Sequence, residues 1–211
     1  MKSFLFVSAV FAALTLAPAA NASVCTTTDC TYTFGATGVS QFGAGPFGTV
    51  ELTLNGGVID FSIDLATGFH LIDNGAHEAF TFNDTLSGAA TISAFSDSIY
   101  SQESGAGPFA NPGYGSFSDA VKSTCTNGGG CGDNTLSFAV SRVGGFTDIN
   151  QLVSSNGTAY FAADVSNANG NTGAIAVTGV TTTTVTPEPV SSALVGTGLM
   201  SLFFLRRRQT R

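Results

Sequence analysis

Two runs of apolar–polar alternation set end to end around Asn55-Gly56 constrain this chain more than any other feature. In the first, Phe47 to Asn55, Val50, Leu52 and Leu54 fall on one side while Glu51 and Thr53 fall on the other. In the second, Val58 to Leu65, Ile59, Phe61, Ile63 and Leu65 face one way and Asp60, Ser62 and Asp64 the other. A period of two means a strand with one buried face, and an Asn-Gly step between two such runs predicts an antiparallel hairpin. Further strand-like runs follow at Glu78 to Phe82, Ala90 to Phe95, Tyr114 to Val121, Leu136 to Ser141, Ala159 to Val165 and Ala174 to Val185. Asp148 to Val153 reads as one short helix capped near Thr147. Few strong helix formers occur, and Gly, Ser, Thr, Val and Phe dominate. Eight or nine strands joined by Gly/Asn turns predict an all-β, antiparallel β-sandwich of jelly-roll type.

The two ends have a different composition. Lys2 is followed by an apolar stretch from Phe4 to Ala17, and Ala20-Asn21-Ala22 fits the small-residue rule for cleavage before Ser23. Residues 1–22 therefore read as a secretory signal peptide, an apolar helix removed on export. Near the other end, Pro187-Glu188-Pro189 precedes an apolar run, Val190 to Leu205, and then Arg206-Arg207-Arg208. Sixteen helical residues would span roughly 24 Å, a little short of a ~30 Å hydrocarbon core, which bilayer thinning accommodates. The arginines belong on the cytoplasmic side, so the preceding domain faces outward. The sequence thus divides into a signal peptide (1–22), a β domain (23–180), a Thr-rich linker or strand end (181–186) and a terminal segment (187–211) with a membrane helix over 190–205.

As a whole pattern, Pro187-Glu188-Pro189, the short span containing Gly196 and Gly198, and Arg206 to Arg208 closely resemble the PEP-CTERM sorting signal of Gram-negative bacteria. The resemblance implies recognition and cleavage by an exosortase, a membrane-embedded protease. It also implies transient tethering in the inner membrane, and delivery to the outer surface or extracellular matrix, often beside exopolysaccharide. The segment Gly157 to Asp164 with Gly170-Asn171-Thr172-Gly173, and Leu136-Ser137-Phe138 after the second cysteine pair, are similar to the last strands of small PEP-CTERM proteins. Such tails follow many unrelated domains, so the resemblance implies an address and brings no catalytic residues.

Between the ends, residues 23–186 carry 13 acidic side chains and two basic ones, Lys122 and Arg142. That balance makes nucleic acid and anionic lipid poor partners for the mature domain. Four cysteines in an exported chain read as disulfides. Three pairings are possible, and proximity favours Cys25 with Cys30 and Cys125 with Cys131.

Chemistry is hard to find in the sequence. His70 and His77 are the only histidines, with Asp73 between them and Glu78 beside the second, and no His-Glu-x-x-His occurs. A hydrolase or metal site built on them is conceivable, but histidines on a loop or strand face are the simpler reading. No Gly-x-Ser-x-Gly is present. Asp60 and Asp64 would stand roughly 13 Å apart along a strand, wide for glycosidase work. Asp133-Asn134 could contribute oxygens to Ca²⁺ but lacks the loop that usually surrounds them. Gly43-Ala44-Gly45-Pro46-Phe47-Gly48 satisfies G-x-G-x-x-G and nearly recurs at Gly105 to Ala110. A strand follows it instead of a helix, so both copies read as strand-connecting loops and not as nucleotide sites. Glycan binding would call on Tyr114 and Tyr160 as exposed rings, there being no Trp. The expectation is a non-enzymatic structural or interaction protein without metal or cofactor, with exopolysaccharide as a candidate ligand.

Overall fold

A computed structural model describes residues 25–75, 77–104, 107–126 and 132–179. All lie within the compact unit Val24–Thr183. The chain there is all-β, and every strand pairing is antiparallel. The expected hairpin is the centre of the first sheet: β3 (Gly48–Asn55) pairs with β4 (Val58–Leu65) over its whole length. The turn sits one residue later than the Asn-Gly step predicts. Asn55 pairs with Val58, and Gly56 and Gly57 make the turn with φ of 60° and 88°. Two positive φ values suit the primed turn that matches strand twist, which Gly-Gly adopts at less steric cost than Asn-Gly.

β1 (Asp29–Thr33) adds to β3, and β12 (Thr135–Ser141) adds to β4 and carries β7 (Thr91–Ser93) on its far edge. The order of this five-stranded sheet is β1-β3-β4-β12-β7. The second sheet has seven strands. Its backbone is β13 (Phe161–Asn167) paired with β14 (Thr172–Val177), with β2 (Ala36–Thr37) at one edge. On the other side of β13 come β5 (Phe69–Leu71) and β6 (Phe80–Phe82), then β11 (Asp119–Ser123) and β8 (Tyr100–Gln102). A small hairpin of β9 (Phe109–Asn111) and β10 (Gly115–Phe117) stands apart from both.

The alternation buries the residues it predicts. Val50, Leu52, Ile59, Phe61, Ile63 and Leu65 are all buried, and they meet Phe80, Phe161, Val165 and Ile175 of the second sheet in one core, as expected of a β-sandwich. Phe61 stacks on Phe138 at 4.8 Å between centroids and meets Phe161 edge-on at 6.1 Å, so one ring ties three strands in two sheets. Such ring pairs add about 0.5–1.5 kcal/mol each beyond area burial. Gln102 links the two sheets at their edges. Its amide accepts from Ile92 N at 3.0 Å and donates to the Ala90 carbonyl at 3.1 Å.

Some expectations are revised. The run Tyr114 to Val121 is two strands, because Ser118 breaks it: its amide donates to Asn83 Oδ1 and its hydroxyl accepts from Asp84 N. The short helix is a 3-10 turn, Ile149–Leu152, and its cap is Asp148, not Thr147. Asp148 accepts from Asn150 N, and Gln151 Oε1 accepts in return from Asp148 N. The last described strand stops at Val177. The two near-identical hexapeptides do lead into strands: β3 begins at Gly48 and β9 at Phe109. They differ where the backbone demands it. Gly48 has φ of 147° with the Asp64–Leu65 backbone pressed against it, whereas Ala110 lies exposed on β9.

Candidate functional site

β13 shows where chemistry gathers. Phe161, Ala163 and Val165 point into the core between the sheets. Ala162, Asp164 and Ser166 therefore lie on the opposite face. On that face Ala162 packs with Tyr114, Phe117, Ala159, Ala174 and Ala176 in a second, smaller cluster.

Along one side of β13 the partner strand is interrupted. Leu71 pairs with Val165 and Phe80 pairs with Ala163, so β5 and β6 are two pieces of one strand with a single rung, Asp164, skipped between them. The chain leaves the sheet after Leu71 and rejoins it at Phe80, a greatly enlarged bulge of which residues 72–75 and 77–79 are described. The departure is fixed where the chain leaves β5: Ile72 N donates to the Asp164 carbonyl at 3.0 Å and Asp73 N to the Cys125 carbonyl at 2.8 Å. The excursion then folds over the face of β13 and β14. Asn74 Nδ2 donates to Thr172 Oγ1 at 3.3 Å, and His77 Nδ1 comes to 3.8 Å from Asp164 Oδ1. Asn111 Nδ2 donates to the Glu78 carbonyl at 3.3 Å, which attaches the β9–β10 hairpin to the same excursion.

The cover buries Asp164 to 1 % exposure. Its pKa is pushed up to about 7, first by burial; the backbone amides of Asn74 and Val165 oppose this, and the charge of Asp73 adds to it. The His77 ring is driven the other way by burial, held back by Asp73. The two shifts together favour a neutral carboxyl facing a neutral imidazole, and 3.8 Å is too long for a hydrogen bond. Glu78 is raised to about 7, first by burial and then by Asp73 and Glu103. Asp73 is raised by burial, although Ser123 N reaches its Oδ2 at 3.4 Å. Lys122, the cation of this neighbourhood, pairs with Glu103 at 3.3 Å.

The sequence singled out His70 and His77, and the fold brings both to this one place. His70 lies directly opposite Ser166 in the β5–β13 ladder and so shares the Asp164 face. The hydrolase arrangement is not assembled: Ser166 is 1 % exposed and its hydroxyl bonds to neither histidine. Asp164 and Ser166 were missed by the sequence reading. The visible signal was a carboxylate inside the apolar run Tyr160-Phe161-Ala162-Ala163-Asp164-Val165. Among the described residues, no three His, Cys, Asp or Glu side chains are already drawn together as a metal centre.

The remaining candidates fall elsewhere. Asp60 and Ser62 line a shallow hollow of about 390 Å³ with Glu51, Thr53 and Ser137 on the outer face of the first sheet. Asp133 and Asn134 are exposed, and their carbonyls accept from Leu71 N and Leu65 N, so their backbones hold strand edges. Tyr114 is not an exposed platform: at 8 % exposure it belongs to the smaller cluster, and Tyr160 is half-buried. Cys25 is disulfide-bonded to Cys30. Cys125 is disulfide-bonded too, and Cys131 lies outside the described residues. So do Ala20, Ala22 and Ser23, and Pro187, Glu188, Pro189 and Arg206 to Arg208. Among the described residues no helix is long and apolar enough to cross a membrane, and the run 190–205 is not among them. No protein-family model matches the chain, and neither a curated protein nor a solved structure is detectably similar to it.

Proposed function

We propose that this is an exported, non-catalytic protein of the cell surface or extracellular matrix, acting by structural or binding contacts. Its jelly-roll-like β-sandwich is made with an N-terminal signal helix and a C-terminal membrane helix, and an exosortase removes the latter after Pro187-Glu188-Pro189 is recognised. The inner membrane is then a transient anchor, and exopolysaccharide is the candidate neighbour. The observation that carries this reading is the ordered tail: Pro-Glu-Pro, apolar run, Arg206 to Arg208, in a sequence whose residues 1–22 read as a signal peptide. The Cys25–Cys30 bridge supports it, because disulfides persist in oxidising compartments. The acidic surface suits a dispersed exported domain and disfavours nucleic acid.

Mass spectrometry of the protein recovered from a cell that encodes an exosortase tests the reading. The expected product starts near Ser23 and lacks Arg206 to Arg208. Replacing Pro187-Glu188-Pro189 with Ala-Ala-Ala should leave the tail attached and the protein in the membrane fraction. Full-length protein in the cytosol with reduced cysteines would overturn it.

A further inference from the structure

Buried side-chain nitrogen and oxygen atoms without any hydrogen-bond partner are uncommon, and each calls for an explanation. Among the described residues they are His70 Nδ1, His77 Nδ1, Asn111 Oδ1, both carboxyl oxygens of Asp164, and Ser166 Oγ. Their residues share one neighbourhood. Asp164 and Ser166 are on the outer face of β13, His70 stands opposite Ser166, His77 faces Asp164, and Asn111 is hydrogen-bonded to the residue after His77. Asp164, Asn111 and Ser166 are each at least 99 % buried.

The chemistry of the set is one-sided. A carboxylate oxygen, an amide oxygen, a hydroxyl oxygen and an imidazole nitrogen are all electron-pair donors. An anion would need free N–H groups aimed at it, and the side-chain amide nitrogens nearby are committed elsewhere, Asn111 Nδ2 to the Glu78 carbonyl and Asn74 Nδ2 to Thr172 Oγ1, while the backbone amides of Asn74 and Val165 act on Asp164 itself. Asp73 acts on both Asp164 and His77, so the local field favours a cation. With bonds of about 2.0–2.2 Å at the tetrahedral angle, two donors on one zinc-sized ion stand roughly 3.3–3.6 Å apart. The 3.8 Å between His77 Nδ1 and Asp164 Oδ1 is too long for a hydrogen bond and only a few tenths of an ångström wider than that spacing.

We propose that Asp164 and His77 are the anchoring ligands of a divalent transition-metal ion held where the chain leaves the ladder between Leu71 and Phe80, with Asn111 and Ser166 offering further protein oxygens. A mixed nitrogen and oxygen set suits zinc or its neighbours better than calcium, which takes oxygens. The site lies in the β domain and does not depend on how the tail is processed.

The test uses the tag-free full-length chain, stripped with EDTA and dialysed against zinc chloride, with metal content and thermal unfolding measured together. About one zinc per chain and a raised Tm are expected, because the ion binds the native fold and not the unfolded chain. His77→Ala and Asp164→Asn should each weaken zinc binding at least about tenfold, while Glu51→Gln on the other sheet leaves it unchanged. His77 is a partly exposed excursion residue, so its variant decides the matter if Asp164→Asn alters folding by circular dichroism. Absence of bound zinc, zinc retained in full by folded His77→Ala protein, or retention of calcium in preference to zinc would each overturn the proposal.

Discussion

Asp164 Oδ1 and His77 Nδ1 face each other at 3.8 Å under a covering loop, and neither atom has a hydrogen-bond partner. A carboxyl placed there by an interrupted strand costs stability whenever it must carry charge. Several measurable consequences of the architecture follow from this pair and from three other local devices.

The pH dependence of the metal-free protein should slope downward. Asp164 titrates near 7 in the folded chain and near its ordinary carboxylate value when unfolded. Its native state therefore holds a proton that the unfolded state has released, and stability is lost as pH rises from about 4 through 7. With EDTA present, Tm should fall across that window. Asp164→Asn should reduce the slope to the part that Glu78, also raised to about 7, still contributes, and an unchanged slope in that variant would refute the assignment.

Arg142 secures a buried carboxylate. Its Nη1 lies 3.2 and 3.0 Å from the two oxygens of Asp84, its Nη2 donates to the Ser87 carbonyl, and its guanidinium rests 5.6 Å from the Phe146 ring centre. Both side chains are largely buried, at 10 % and 5 % exposure. Arg142→Met should cost about 3–5 kcal/mol in urea unfolding by stranding Asp84. Adding Asp84→Leu should restore much of the loss, which separates the stranded charge from lost packing.

Gly48 admits no side chain. A Cβ there would run into the Asp64 carbonyl and stand 2.7 Å from Leu65 Cα, at a φ of 147°. Gly48→Ala should force β3 away from β4 and lower stability by more than about 2 kcal/mol, whereas Gly38→Ala, with nothing nearby and an ordinary φ, should cost less than about 1 kcal/mol. Comparable urea midpoints for the two variants would contradict this reading of the hexapeptide.

The Cys25–Cys30 bridge closes a short loop that runs into β1, and Cys30, in that strand, sits in the core at 2 % exposure. Cross-linking so few residues contributes about 2 kcal/mol through the unfolded chain. Cys25→Ser should lose about that amount in chemical unfolding. Cys25 lies on the periphery, so its variant leaves the core intact, and an unchanged midpoint would mean that the bridge does not contribute.

The legible parts of the fold were those with a long period-two pattern. β3 and β4 run eight residues each with a single buried face, so their alternation is nearly uninterrupted. β5, β6, β7, β8, β9 and β10 have three residues each, too few for a period to show. β13 reads as apolar on both faces, because Ala162 packs into the smaller cluster while Ala163 packs into the core. The same double burial concealed Asp164: a carboxylate there has no alternation to violate. His70 and His77 were noticed for their rarity, but nothing in the sequence announces that the chain leaves the ladder after Leu71 and rejoins it at Phe80. The cap of the 3-10 turn was misplaced by one residue because Thr147 and Asp148 are both competent acceptors, and only the return contact from Gln151 selects Asp148.

The skipped rung at Asp164 separates what the sandwich must preserve from what it can exchange. Because Leu71 and Phe80 are each locked to their own partners, the stretch connecting them can be lengthened, shortened or rewritten while both flanking pairings keep their alignment. Evolution, or an engineer, could treat that segment as an interchangeable cartridge and give one scaffold many specificities.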